Sequence, residues 1–478
     1  MIRNFVLKDT RLHRAQLFRI GAALILPVLI SVVPSLTTPA TAQTFSVVYN
    51  FEYTHGNDPG VGDVLVQGRD GNLYGTTQKG GADNNGVVFK ITPSGKLKVL
   101  YSFDVLHGSQ PYSGLTLGTD GIFYGTTYQG GIYHHGTIFK ITRNGKLTTL
   151  YNFRYPGGRG LPGKDGGYPM APPVQGVSRD FYGTTEHPNS IYGTVYKITS
   201  SGTFTSLDLF PQPPLAALLL GKDRNFYGTT SPIGGYGNIF KMTSTGGVTV
   251  LYSFDGTHGR APGYGALIQG SDGDFYGTTM QGGSHDAGVV FKLRPGGALT
   301  VLHAFLDPTY PHDGYLPWGG LVQASDGNLY GVTYYGGTGG SSGLGVLFQI
   351  TPAGNYSIIY NFTEVRPISK LMQHTNGKFY GLTPLGGPHG VVYSLDLGLG
   401  PFVRTVRTSE KTGKTVGILG GGLAGTTGVS FNGTSAAFTV VSDTYLTAVV
   451  PEGATTGFVT VTTPGGTLQS NQKFWIRP

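Results

Sequence analysis

Between residues 265 and 305 the chain reads GALIQGS, DGD, FYGTT, MQGGSHDAG, VVFKL, RPGG, ALTVLHAF. Apolar runs of this length, bounded by glycine and turn residues and rich in β-branched and aromatic side chains, predict strands. Four strands, a to d, follow in this unit. An Asp-Gly turn joins a to b and a Pro-Gly turn joins c to d. Both are short hairpin connections in which glycine supplies a positive φ. Longer loops join b to c, and d to the next a. No helical periodicity appears after residue 42.

The same grammar returns along the chain. Tyr-Gly-x-Thr occurs at Tyr74, Tyr124, Tyr182, Tyr227, Tyr276, Tyr330 and Tyr380, spaced by 50, 58, 45, 49, 54 and 50 residues. Tandem units of four strands and about 50 residues predict a seven-bladed β-propeller. Its ends carry a further signal. The segment TFSVVYNF (44–51) matches the d strands LTTLYNF (147–153) and VTVLYSF (248–254), whereas the seventh unit stops after strand c. The N-terminal strand is therefore expected to complete the last blade, which closes the ring and removes an exposed edge. Beyond residue 400 the repeat ceases. Residues 401–478 alternate as a small immunoglobulin-like β-sandwich. The fold class predicted is all-β, a seven-bladed propeller over 43–400 plus this sandwich.

Composition agrees: 80 glycines among 478 residues with 12% aromatic side chains suit many short strands and tight turns. Residues 1–42 combine five basic residues, the apolar run IGAALILPVLISVV and Ala40-Thr41-Ala42. That pattern predicts a secretory signal peptide and a secreted or cell-surface protein. No second segment is long and apolar enough to span a membrane. The formal charge of +8 falls to about +4 without residues 1–42, and no Lys/Arg cluster points to nucleic acid. The absence of cysteine excludes disulfides and thiolate metal sites.

The units resemble the GloVer tandem repeat, with the pattern LiQGsDGnlYGTTxxGGxxxxGtvFKiT matched from Leu65 through Ser394. Unit 3 departs from it at RDFYGTTEHPNS, and unit 7 has Asn376 for the turn Asp. The run GGGLAGTTGVSFNGTSAAFTVVSDTYLTAVVPEGATTGFVTVTTPGG resembles an IPT/TIG domain. These resemblances imply an extracellular or surface setting and bring no catalytic residues.

Hairpin geometry puts the short turns on one face and the long loops on the other, where binding residues are expected. The long loops repeat histidine: His55, His107 and His258 before glycine, and His134, His135, His285 and His389 elsewhere, with Asp313 beside His312. A ring of imidazoles and carboxylates suits metal binding or acid–base work, but no H-x-x-x-H or H-E-x-x-H spacing occurs. Turn formation by His and Asp explains them equally, and no metal or cofactor is expected. Trp318 and Tyr315 lie in the aromatic loop 307–320 and suit stacking on a sugar ring. The candidate binding residues are thus His107, His135, His258, His285, Asp313, Tyr315 and Trp318. In units 1 to 5 the turn Asp (70, 120, 180, 223, 272) is expected to pair with a Lys on strand c (90, 140, 197, 241, 292); unit 6 has Asp326 with Gln349, and unit 7 has neither charge. No G-x-S-x-G or phosphate-binding loop is present. The reading is a non-catalytic module for a glycan or protein ligand. The alternatives are a polysaccharide hydrolase or lyase at the channel mouth, and a purely structural envelope protein.

Overall fold

The computed structural model describes residues 43–478 apart from 61, 63–64, 155–164, 187–191, 211, 231–234, 263–264, 307–312 and 340–342. Residues 1–42, predicted from the sequence to be a signal peptide, and the loop residue His312 lie outside the described residues. Among those described, regular structure is all strand except for one 3-10 turn at Tyr53–His55. No helix is long and apolar enough to cross a membrane.

Strands Val66–Gln67, Leu73–Thr77, Val87–Ile91 and Leu97–Ser102 form an antiparallel sheet in chain order, and five further sheets repeat that order. The last sheet differs. Met372–Gln373, Phe379–Thr383 and Val391–Asp396 take Thr44–Asn50 as their fourth strand, with Phe45 opposite Leu395 and Val47 opposite Tyr393. The result is a propeller-like array of four-stranded sheets whose first strand belongs to its last repeat.

Strand b is buried on both faces in every repeat, as the burial of Leu73 through Thr77 illustrates. Its glycine is fixed by its own sheet. Gly75 pairs with Phe89 of strand c, whose ring lies over it; a Cβ on Gly75 would stand 2.7 Å from that ring. Gly277 and Phe291 repeat the arrangement at 2.5 Å. The neighbour that excludes a side chain here is therefore the cross-strand aromatic.

Two kinds of contact recur between successive repeats. The strand-b tyrosine stacks on the residue preceding the tyrosine in the following repeat: Tyr74 on Phe123 (4.1 Å), Tyr124 on Phe181 (3.8 Å), Tyr227 on Phe275 (4.2 Å). Such pairs add about 0.5–1.5 kcal/mol beyond area burial. In the opposite direction, strand-a glutamines reach back to the preceding turn. Gln269 accepts the Lys222 amide (2.9 Å), Gln323 that of Ser271 (2.9 Å) and Gln373 that of Ser325 (2.9 Å).

The turn aspartate has a partner the sequence reading missed. Its carboxylate accepts the hydroxyl of the following tyrosine, at 2.8 Å for Asp70–Tyr74 and Asp223–Tyr227 and 2.5 Å for Asp272–Tyr276. The expected lysine joins it in four repeats, as Lys90–Asp70 (3.7 Å), Lys197–Asp180 (3.8 Å), Lys241–Asp223 (2.8 Å) and Lys292–Asp272 (3.1 Å). Lys140 instead donates to the Ser200 carbonyl at 2.9 Å. In the third repeat the alignment shifts. Ser178 holds the Asp position and Asp180 sits two residues later, with Arg179 at a positive φ of 72° where five repeats place glycine and the fourth places Arg224 (φ 70°).

Residues Ala42–Pro478 form one unit, within which the tail has its own core. One sheet orders Arg404–Thr405, Thr415–Leu419, Tyr445–Val449 and Phe438–Ser442; a second orders Thr434–Ser435, Gly428–Phe431, Val459–Thr463 and Gly466–Gln469. Val416, Ile418 and Leu446 from the first meet Val429, Phe431 and Val461 from the second. This sandwich rests on the short turns. Thr444 donates to the Arg69 carbonyl (2.8 Å), Arg407 to that of Gly176 (2.9 Å), and the Lys222 ammonium lies 4.4 Å from the Trp475 ring centre.

Candidate functional site

With the tail seated on the short turns, the long-loop face is left to receive a ligand. The histidines there are held locally. Asp104 accepts the His107 amide at 2.7 Å and meets its Nδ1 at 2.8 Å; Asp255 does the same for His258, at 2.7 Å in both contacts. In both aspartates these histidine contacts outweigh the effect of burial and hold the carboxyl below its ordinary pKa. The motif is a D-x-x-H turn cap. His135 meets the Tyr168 hydroxyl (2.8 Å), His285 meets Ser284 (2.8 Å), and Asp313 meets His303 (3.0 Å). These residues belong to different repeats and do not converge. Among the described residues no group of three His, Asp or Glu is placed to hold a metal ion.

The aromatic residues do gather. Trp318 and Tyr334 lie 5.4 Å apart with their rings tilted by 47°, and Tyr315 stacks on Tyr335 at 5.2 Å. The Arg366 guanidinium lies over both Tyr334 (4.9 Å) and Tyr335 (4.5 Å), which fixes the rings from behind. Trp318 and Tyr334 form one wall of a cleft of about 370 Å³. Asn57 and the Lys79–Asp58 ion pair (2.9 Å) supply its polar side, and Ile368 and Leu385 its floor. A π surface facing a few fixed hydrogen-bonding groups suits a ring with one apolar face and a polar perimeter. The loop aromatics were legible in the sequence. Their partners from the first and seventh repeats were not.

A second constellation went unnoticed in the sequence. Tyr128 donates to Glu186 at 2.7 Å, and the rings of Tyr112 and Tyr168 lie 6.0 and 5.3 Å from that of Tyr128. Burial raises the Glu186 carboxyl, only partly opposed by the Tyr128 hydroxyl. Tyr128, Glu186 and Tyr334 all occupy the position directly after the YGxT motif, which is the signal that finds them.

At the axis the segments leading into the inner strands converge. Gly62, Ala171, Ala217, Ala266, Gly319 and Lys370, from six different repeats, line a cavity of about 50 Å³. Among the described residues of its lining Lys370 is the one that carries a charge. Desolvation lowers its ammonium to about 8, and it has no ion-pair or hydrogen-bond partner among the described residues.

Tandem four-stranded sheets joined by tyrosine stacks and glutamine latches define a repeat protein of the propeller-like all-β class. The chain belongs to the Gloeobacter/Verrucomicrobia repeat family, whose model matches residues 33–163 and 159–340. No curated protein matches it. Among solved structures it is similar to an oligogalacturonate lyase in complex with manganese, at 11% identity and a TM-score of 0.46 over 74% of this chain and 90% of that one. It is similar also to a putative gluconolactonase, at 14% identity and a TM-score of 0.30 over 48% of this chain and 88% of that one. A Bacteroides thetaiotaomicron protein of unknown function matches at 14% identity and a TM-score of 0.37, over 76% and 98%. Likeness at this level carries no inference about chemistry.

Proposed function

We propose that this chain is a secreted or cell-surface binding protein that holds a glycan on its long-loop face, in the cleft walled by Trp318 and Tyr334. The observation that carries the reading is that Trp318 and Tyr334 line one cleft together with Asn57 and the Lys79–Asp58 pair. The scaffold of this reading is a seven-bladed propeller closed by Thr44–Asn50, with residues 401–478 as an IPT/TIG-like immunoglobulin fold. The seam pairing of Thr44–Asn50 with Val391–Asp396 and the two-sheet core of the tail support it. Residues 1–42 act as the export signal. The test is a glycan array probed with the purified chain and with Trp318→Ala. Loss of at least tenfold in affinity for every bound glycan is the expected result, and an unchanged binding pattern would remove the cleft from the ligand site.

A polysaccharide-acting enzyme is the second reading, favoured by Glu186, whose carboxyl is raised by burial and accepts the Tyr128 hydroxyl, an arrangement that suits proton transfer. Depolymerisation by the wild type that Glu186→Gln abolishes, with binding retained, would establish it.

A further inference from the structure

Between the short turns and the tail lies a groove of about 610 Å³. Arg69, Asp120 and Arg179 line it from the first three repeats, and Arg407, Glu410 and Lys414 from the tail. That volume falls within the range of small-molecule sites, about 300–1,000 Å³.

The groove is short of negative charge. Four cations line it against two carboxylates, which leaves an excess of two. The carboxylates have partners of their own. Glu410 pairs with Arg407 at 2.8 Å and also with Arg477. Asp120 accepts the Tyr124 hydroxyl (2.8 Å) and the Ile122 amide (3.0 Å). The cations are less well served. Arg69 donates to the Thr119 carbonyl (2.7 Å) and lies 4.6 Å from the Tyr445 ring centre, but its buried Nε has no acceptor among the described residues. The side chains of Arg179 and Lys414 have no hydrogen-bond or ion-pair partner among the described residues. Burial, and then the charge of Arg179, push the Arg407 guanidinium below its ordinary pKa. Burial, and then Arg407 and Arg224, do the same to Arg477. Like charges gathered in this way repel one another, and an anion between them relieves the cost.

Two of these cations also depart from the repeat. Arg69 stands directly before the turn Asp, where four of the other six units have Ser or Thr. Arg179 stands where five units have glycine. The turns form without either guanidinium, so turn geometry does not account for them.

We propose that the groove between the propeller-like array and the tail is a second binding site, for a small organic molecule carrying phosphate or sulfate groups. The planar fork of arginine meets a tetrahedral oxyanion with two parallel hydrogen bonds, and one dianionic group balances the excess charge. The site lies on the face away from the aromatic cleft and does not depend on the glycan-binding reading.

The test is calorimetric titration of the full chain with myo-inositol hexakisphosphate and with myo-inositol hexasulfate, at one ionic strength set by sodium chloride. Binding of at least one is expected, and the tighter of the two tells a phosphate source from a sulfate source. Arg179→Gly places at that positive φ the residue that five repeats already have there. This variant and Lys414→Gln should each weaken binding about tenfold, the loss of one charge-assisted contact. Lys98→Gln removes an exposed cation from the strand Leu97–Ser102, outside the groove, and should leave binding unchanged. Trp318→Ala should leave it unchanged too, so failure of this site and failure of the glycan cleft are distinguishable. Absence of binding by both probes overturns the proposal, as does binding that survives undiminished in Arg179→Gly and Lys414→Gln. An equal loss in Lys98→Gln would assign the effect to net charge and overturn it as well.

Discussion

Gln67 and Thr375, 308 residues apart, hold each other across the seam between the first and last repeats. The Gln67 side-chain carbonyl accepts the Thr375 amide at 3.2 Å, and its amide group donates to the Thr375 hydroxyl at 2.7 Å. Both residues are buried, at 1% exposure each. The same latch joins consecutive repeats elsewhere, but at the seam no covalent connection assists it beyond the single strand Thr44–Asn50.

Gln67→Leu should therefore destabilise the fold by about 1–3 kcal/mol, the cost of leaving a buried amide without its acceptor. Leucine fits the position sterically, since repeats 2 and 4 carry Leu117 and Leu220 there. The half-buried Gln269, which latches to Lys222, provides the comparison, and Gln269→Leu should cost less. Urea denaturation of the two variants measures the difference. Equal losses would mean that the seam is no more dependent on its latch than any internal junction.

The glycine of the YGxT motif makes a separate claim. A Cβ at Gly277 would meet the Phe291 ring at 2.5 Å, and ring and strand are both buried. Gly277→Ala should cost about 1–3 kcal/mol through overpacking. The double variant with Phe291→Leu should recover part of that loss relative to the sum of the single variants, because the two residues share one space. Strict additivity in the thermal melts would show that the glycine is needed for another reason.

These two examples explain what could be read from the sequence. Tyr74, Gly75 and their counterparts recur because every repeat solves the same packing problem, so their periodicity announces the sheets. The motif's packing stayed hidden, because Phe89 covers Gly75 only once strands b and c pair. The candidate site was harder still. Trp318 was visible as an aromatic in a loop, but its cleft is completed by Asn57 and Leu385, which only ring closure brings near it. Lys370 carries no motif at all; its meaning comes from six small or apolar counterparts in other repeats. The repeated histidines pointed toward a shared site because they recur, and they recur because Asp104 and Asp255 cap their turns.

The Asp–Tyr–Lys turns predict an acid limb in the stability profile. Burial alone would raise the Asp272 carboxyl, but the Tyr276 and Lys292 hydrogen bonds and the Lys292 charge outweigh it and hold the group below its ordinary 3.8. A carboxyl depressed in the folded state contributes stability above its unfolded pKa, and that contribution is lost as pH falls through the folded value. Asp272→Asn should thus cost up to about 1 kcal/mol at pH 7, the range for part-exposed pairs, and nothing once the pH lies well below 3.8. Melting curves of the two proteins from pH 7 to pH 2 should converge at the acid end. A constant gap throughout would assign the loss to packing and not to charge.

Lys370 predicts a rise at the alkaline end. Its folded pKa of about 8 lies below the ordinary 10.5, because burial disfavours the ammonium. Between those two values the unfolded chain binds more protons than the folded one, so stability rises with pH across that window. A difference of this size corresponds to roughly 3 kcal/mol in all, at about 1.4 kcal/mol per pH unit. Lys370→Met removes the buried charge, so it should be more stable than the wild type at pH 7, with the gap closing as the pH approaches 10.5. Tyrosine and lysine ionisation elsewhere affects both proteins alike and cancels in the difference. Denaturant titrations of both proteins at pH 7, 8, 9 and 10 decide the matter, and a gap that stays flat across the series would mean that the lysine is solvated or paired in the folded chain.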